Sequence, residues 1–131
     1  MIVLDSSALL DYLFRDRVLA DWVENQLDIA SWNVHAPYLV DVEVFAVVRG
    51  HVLSRSMTAG RGRAILDVFV GMPIRRYQHV QLFDRMWALR AHVSPRDAGF
   101  VALAEALGVP LVTTDVRLSR AHGIRTTIVA P

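Results

Sequence analysis

Short apolar runs and longer amphipathic stretches take turns along this chain. Ile2–Leu4 is an unbroken apolar triplet, as expected of a central parallel strand, and Ser7–Phe14 follows with Leu9, Leu10, Leu13 and Phe14 at helical spacing. The same pattern predicts helices over Val18–Gln26, over Leu39–Arg49 with Gly50 as its stop, over Thr58–Val70 closed by Gly71 and Pro73, and over Gln81–Arg90. Ser94-Pro95 pairs a capping residue with proline at the first helical position, so a helix opens there and runs to Leu107 before Gly108. Val116–His122 reads as a short helix closed by Gly123. Strands are expected at Asn33–Ala36 (stopped by Pro37), Ile74–Tyr77, Leu111–Thr113 and Thr126–Val129. No repeat, low-complexity tract or linker interrupts the series. Strands alternating with helices argue for an α/β sandwich around a parallel sheet, as one domain over residues 1–131.

Against that pattern a few acidic residues stand in odd places. Asp5 follows the first strand directly, and Asp115 follows Leu111–Thr113 after one more threonine. In a parallel α/β sheet, ligands bind outside the carboxyl ends of the strands, so both carboxylates belong to that edge. Each also precedes a helix, and N-capping explains either one alone. Glu43 is different. Its neighbours three and four residues away are Leu39, Val40, Ala46 and Val47, so it interrupts an apolar stripe in mid-helix, where no cap role exists. No cation lies within one helical turn, which leaves a distant arginine, solvent or a bound cation to balance it. Asp41 is a weaker rival, favoured in the first turn by the helix dipole. Asp97 is the third residue of its helix, where a capping box with Ser94 accounts for it, yet it borders the stripe formed by Phe100, Val101 and Ala104. Asp11 reads as an ordinary solvated helix residue.

Four acids on one edge repel one another unless something positive stands among them. All-oxygen ligation suits Mg²⁺, or Mn²⁺. Such a carboxylate cage is a recurrent device for hydrolysing phosphodiesters. The five histidines are scattered without a zinc spacing and read as surface or loop residues.

Composition narrows the chemistry further. The formal net charge is +1, so bulk electrostatics does not announce a nucleic-acid binder, and any basic footprint must be local. All 14 cations are arginine. The missing lysine excludes a P-loop and a Schiff-base enzyme. Arg15, Arg17, Arg49, Arg55, Arg61, Arg63, Arg96 and Arg117 are available to guide RNA, and none stands out. There is no cysteine, which excludes disulfides, thiolate zinc sites and cysteine nucleophiles and suits a reducing cytoplasm. The N-terminus lacks a basic n-region and meets Asp5 too soon for a signal peptide, and no apolar run has the length of a membrane span. The hydrophobic share, 53%, leaves apolar surface for a partner or a second copy. Gly60 and Gly62 in "TAGRGRAIL" stand inside a helical pattern with no strand before them, so a phosphate loop is not expected there.

Taken with "IVLDSSALLDYL", "YLVDVEVFAVVRG", "RDAGFVALAEALGVPLVTTD" and "DVRLSRAHG", the chain resembles PIN-domain nucleases nearly end to end, and within them VapC-like toxins. The resemblance implies a PIN-like three-layer α/β/α sandwich with a mainly parallel sheet of four to five strands. Carried across by position, Asp5, Glu43, Asp97 and Asp115 resemble the family's acidic metal-site residues, with Ser6 or Ser7 and Thr113 as supporting hydroxyls. It implies a Mg²⁺-dependent endoribonuclease leaving a 5′-phosphate and a 3′-hydroxyl, a homodimer, and a cognate antitoxin that covers the site. Arg96 departs from the family pattern beside Asp97, where an aromatic residue is common.

Two rival classes fit less well. A phosphotransfer enzyme of the haloacid-dehalogenase or receiver type also carries an aspartate after its first strand. It needs a lysine or arginine near the site and a second acid where Ser7 stands. A non-catalytic binding module, its acids only caps, leaves Glu43 unexplained. A third possibility keeps the fold and changes the target to other nucleic acids.

Overall fold

A computed structural model of the chain describes residues 1–15 and 17–131, with Arg17 by its backbone alone. The Arg17 side chain considered above therefore lies outside the described residues. Five strands, β1 (Ile2–Leu4), β2 (Val34–Pro37), β3 (Ile74–Tyr77), β4 (Leu111–Val112) and β5 (Ile128–Val129), form one sheet in the order β3-β2-β1-β4-β5. Every pairing is parallel, with Val3 opposite His35 on one side and Leu111 on the other. Central β1, together with β2 and β4, is buried at every position, which requires cover on both faces and explains the unbroken apolar runs.

Among the described residues the cover comes from seven helices: α1 (Ser6–Phe14), α2 (Arg17–Ile29), α3 (Leu39–Leu53), α4 (Ala59–Gly71), α5 (Phe83–Ala88), α6 (Pro95–Leu107) and α7 (Val116–Ser119). α1 to α4 pack on one another, while α5 packs on α6, which lies against β1, β2 and β4. The expected α/β sandwich and all-parallel sheet are therefore present. From β1 the chain steps outward to β2 and β3, then crosses back to β4 and β5. The order reverses between β1 and β4, and a crevice at the carboxyl edge is the geometric result.

α6 shows why this edge is well defined. Ser94 caps it by accepting from the Asp97 backbone N–H at 3.2 Å, and Pro95 follows at the first position. Ala98 through Ala104 are all buried, so the helix lies deep in the molecule. Gly108 ends it with φ of 66°, a left-handed value that glycine adopts without strain. Beyond, Glu105 accepts from Arg85 and from the Arg125 backbone N–H, and Arg85 also donates to the Gly123 carbonyl, so the C-terminal segment is tied to α6. These donors hold the Glu105 carboxyl below its ordinary range although burial alone acts the other way.

Several expected boundaries move. α3 runs past Gly50 to Leu53, because its last turns find partners in α4. Its buried stripe is Val40, Val44 and Val48, and Glu43 flanks that stripe rather than interrupting it. The predicted Gln81–Arg90 helix splits into a 3-10 turn at Val80–Leu82 and α5, and α7 stops at Ser119. His35 is no surface residue. It is 4% exposed, bonded through Nδ1 to the Tyr77 hydroxyl and through Nε2 to Asn33 Oδ1. The Asn33 carbonyl oxygen fixes a neutral Nε2–H tautomer, and burial first, then Arg75, pushes its pKa down. His79 also has a buried Nε2, with its ring against Gly99. Asp11 accepts from the Thr114 hydroxyl at 2.6 Å and so is not merely solvated. Among the described residues no helix is long and apolar enough to cross a membrane.

Gly60 and Gly62 both lie in α4, as the helical pattern expects. Gly62 is a notch: a Cβ there meets Val52 Cγ2 at 2.7 Å and Val48 Cγ1 at 3.2 Å, whereas one on Gly60 meets nothing within 4 Å. Valine rotamers are stiff, so the clash cannot be relieved cheaply. Gly62→Ala is expected to lower unfolding free energy by about 1–3 kcal/mol, and Gly60→Ala to raise it by about 0.4–1 kcal/mol. Urea melts of the two variants check this.

Candidate active site

At the carboxyl edge, β1 delivers Asp5 and β4 delivers the turn Thr113-Thr114-Asp115. Asp5 precedes α1 but makes no side-chain cap to it. Instead its Oδ2 accepts from the Thr113 hydroxyl at 2.7 Å and from the Ser7 hydroxyl at 2.8 Å. Each hydroxyl has one proton, and both protons go to Asp5, so the 3.1 Å approach of Ser7 Oγ to Thr113 Oγ1 is a contact and not a further donor. The two oxygens then accept from backbone: Ser7 Oγ from Thr114 N–H at 3.2 Å, Thr113 Oγ1 from Asp115 N–H at 3.0 Å. This network stitches the end of β1 to the end of β4. Asp5 is 2% exposed, and its other oxygen, Oδ1, is buried without a partner.

Glu43 comes from α3, little more than a turn beyond β2. Its Oε2 is paired with Arg96, and its Oε1 is buried and unpartnered. Burial is the main reason its pKa is raised; Arg96 opposes this and Asp5 adds to it. The buried Ser6 hydroxyl lies near enough to favour the charged form, short of a well-formed hydrogen bond. Asp97, in the first turn of α6, is likewise raised, by burial first and by the Asp5 charge second. These mutual effects bring Asp5, Glu43 and Asp97 together as one electrostatic group.

Asp115 is the outer member. It caps α7 by accepting from Arg117 N–H at 2.9 Å, and the Arg117 guanidinium reaches both its oxygens, at 3.1 and 3.0 Å. Those bonds hold its pKa below the ordinary carboxylate range. It still acts electrostatically on Asp97. Ser94, Arg96, Asp97, Asp115 and Arg117 line an open cleft of about 380 Å³. A roomier groove of about 520 Å³, bordered by Phe83, Trp87 and Val93, is apolar and contains none of the four acids.

The donor set is all oxygen, with two buried orphan atoms, which is the chemistry of a hard cation site. Among the described residues no three acids or histidines form a ready-made cage. Two arginines engage these acids, Arg96 pairing with Glu43 and Arg117 closing on Asp115. The sequence placed both among the arginines available to guide RNA and marked Arg96 only as a departure from the family pattern. The signal was the placement of Arg96 beside one acid and Arg117 two residues beyond another.

The residues 2–124 match the family described as PIN domain. The chain belongs to the PIN-domain family. Ribonuclease VapC9 of Mycobacterium tuberculosis is 43% identical over 119 residues, spanning 91% of this chain and 89% of that protein. Ribonuclease VapC12 of the same species is 35% identical, spanning 94% and 93%. The crystal structure of VapBC2 from Rickettsia felis, bound to a DNA fragment from its promoter, shares the fold with a TM-score of 0.72 over 98% of each chain, at 16% identity.

The raised carboxyls give a signed pH dependence. Below its ordinary unfolded pKa, Asp97 is protonated in both states. As pH rises toward the higher folded value, only the folded state keeps the proton, so stability falls through that window and is flat above it. His35, lowered, acts with the opposite sign near its own range, so a difference measurement is needed. In EDTA, Asp97→Asn should match wild type below the ordinary Asp pKa, near pH 3, and melt higher near pH 7. Thermal melts of the two proteins across pH read the difference; a constant offset defeats the assignment.

Proposed function

We propose that this PIN-domain protein is a cation-dependent endoribonuclease of the VapC kind. The observation that carries the reading is Asp5 Oδ1, a buried carboxylate oxygen without a partner at the switch point of a parallel sheet, beside a second orphan on Glu43. Asp5, Glu43 and Asp97, with Asp115 at the rim, are the residues to hold Mg²⁺, or Mn²⁺. When bound, such an ion supplies charge against the phosphate and a more acidic water. Addition of water to phosphorus with cleavage of the bond to the 3′-oxygen, which leaves carrying a proton, would give a 5′-phosphate and a 3′-hydroxyl.

The chain's own residues supply geometry. Ser7 and Thr113 occupy Asp5 Oδ2, which leaves Oδ1 as its free donor atom. The hydroxyls act as supports: each spends its hydrogen-bond donor on Asp5 Oδ2 and so holds that carboxylate in place. Ser6, buried at the start of α1, supports the Glu43 side. RNA as substrate rests on the relatives named ribonucleases.

A partner protein rests on the VapBC2 assembly and on exposed apolar surface. Phe45 and Leu53 border a groove between α3 and α4, and Phe83 and Trp87 border another on α5. We read these as room for an antitoxin and for a second copy of the chain. We read its location as cytoplasmic, which the cysteine-free sequence suits.

Asp5→Asn keeps the shape and an acceptor for Thr113, so it should fold. It and Asp97→Asn are each expected to lower Mg²⁺-dependent cleavage on the order of 100-fold or more. Gel assays on single-stranded RNA, with a matching DNA strand alongside, measure it. Wild-type rates in either folded variant refute the carboxylate assignment, and cleavage of the DNA alone refutes the substrate class.

A further inference from the structure

Arg96 lies in the first turn of α6, one residue before Asp97, and its Nε engages Glu43 Oε2 on α3. The Glu43 side chain is 13% exposed, whereas that of Arg96 is 52% exposed. A largely buried carboxylate thus takes its counter-charge from a long side chain that reaches in from the cleft mouth. The Arg96 charge also favours the ionised forms of Asp97 and Asp115. One guanidinium therefore offsets three of the four acids. It leaves Glu43 Oε1 and Asp5 Oδ1 unpartnered. Arg117 is a weaker counterpart, with a 91% exposed side chain whose pairing with Asp115 is screened by solvent.

We propose that Arg96 is an internal competitor of the divalent cation: both claim the Glu43 carboxylate, and their competition sets how much cation the site needs. The inference rests on the carboxylate reading of the site given above. A guanidinium and a divalent ion a few ångströms apart repel each other, so Glu43 serves one at the expense of the other. Because an arginine does not lose its proton near neutral pH, the pair yields to a rival cation and not to mild base. Removing a residue from the first turn of a helix that carries positive charge there also favours the helix dipole, so neutral replacements should fold.

The test is calorimetric titration of Mn²⁺ at pH 8 into wild type, Arg96→Gln, Arg96→Ala, Arg96→Lys and Arg63→Gln. Arg63 pairs with Asp67 on α4 and controls for net charge alone. The two neutral variants are expected to bind about fivefold tighter or more. Arg96→Lys, which keeps the charge, and Arg63→Gln should stay within about twofold of wild type. If wild type binds and the neutral variants bind no tighter, or if Arg63→Gln tightens equally, the competition is overturned while the cation site stands. If no chain binds Mn²⁺, the carboxylate reading falls and takes this inference with it.

Discussion

A carboxylate buried at the end of a central strand is the constraint around which this edge of the molecule is organised. Moving a charge out of water costs several kcal/mol unless hydrogen bonds replace the lost solvent. For Asp5 they come from two hydroxyls, one two residues on at Ser7 and one across the sheet on Thr113. Thr113 can reach only if β4 lies beside β1 in the observed register, with Leu4 opposite Val112. The strand pairing and the polar network therefore specify each other. Only one Asp5 oxygen is satisfied in this way; the other is buried without a partner.

The remaining acids show how similar sequence contexts diverge. Asp5 and Asp115 both follow a strand and precede a helix. Asp115 caps α7 and shares its oxygens with Arg117; Asp5 caps nothing and is sealed from solvent. The difference is position in the sheet. β1 is flanked on both sides, whereas the turn after β4 faces the open cleft. Charges gather inward, with Glu43 and Asp97 pushed toward protonation and Asp115 held ionised by its neighbour. The cleft is consequently graded from a strained interior to a relaxed rim.

Much of this was legible from spacing alone. Alternating runs predicted the parallel sheet, and strand ends predicted which acids share an edge. Glu43, with no cap role available, indicated that the edge was more than a set of helix starts. The partner it has is Arg96, 53 positions along the chain, one of the alternatives left open by the sequence. Local pattern cannot choose between a distant cation and a bound one, because both satisfy the same buried charge. His35 was misplaced for a related reason. A histidine with two hydrogen-bonding partners is as comfortable inside as out, and of those partners Asn33 stands two residues before it while Tyr77 meets it only after β2 and β3 pair. Gly50 misled because glycine weakens a helix without ending one when the following turn has something to pack on.

The notch at Gly62 has a mechanical reading. α3 leans its final turns into that gap, while Glu43 rides on its other half. A helix is a fairly stiff rod, and the stretch from Val52 to Glu43 is about 13 Å long at 1.5 Å per residue. The missing side chain on α4 thus gives Val52 and Val48 room to seat, on the same helix that carries Glu43. A bulkier residue there has to push Val52 and Val48 aside, so the fit between α3 and α4 is set by an absent atom rather than by one present.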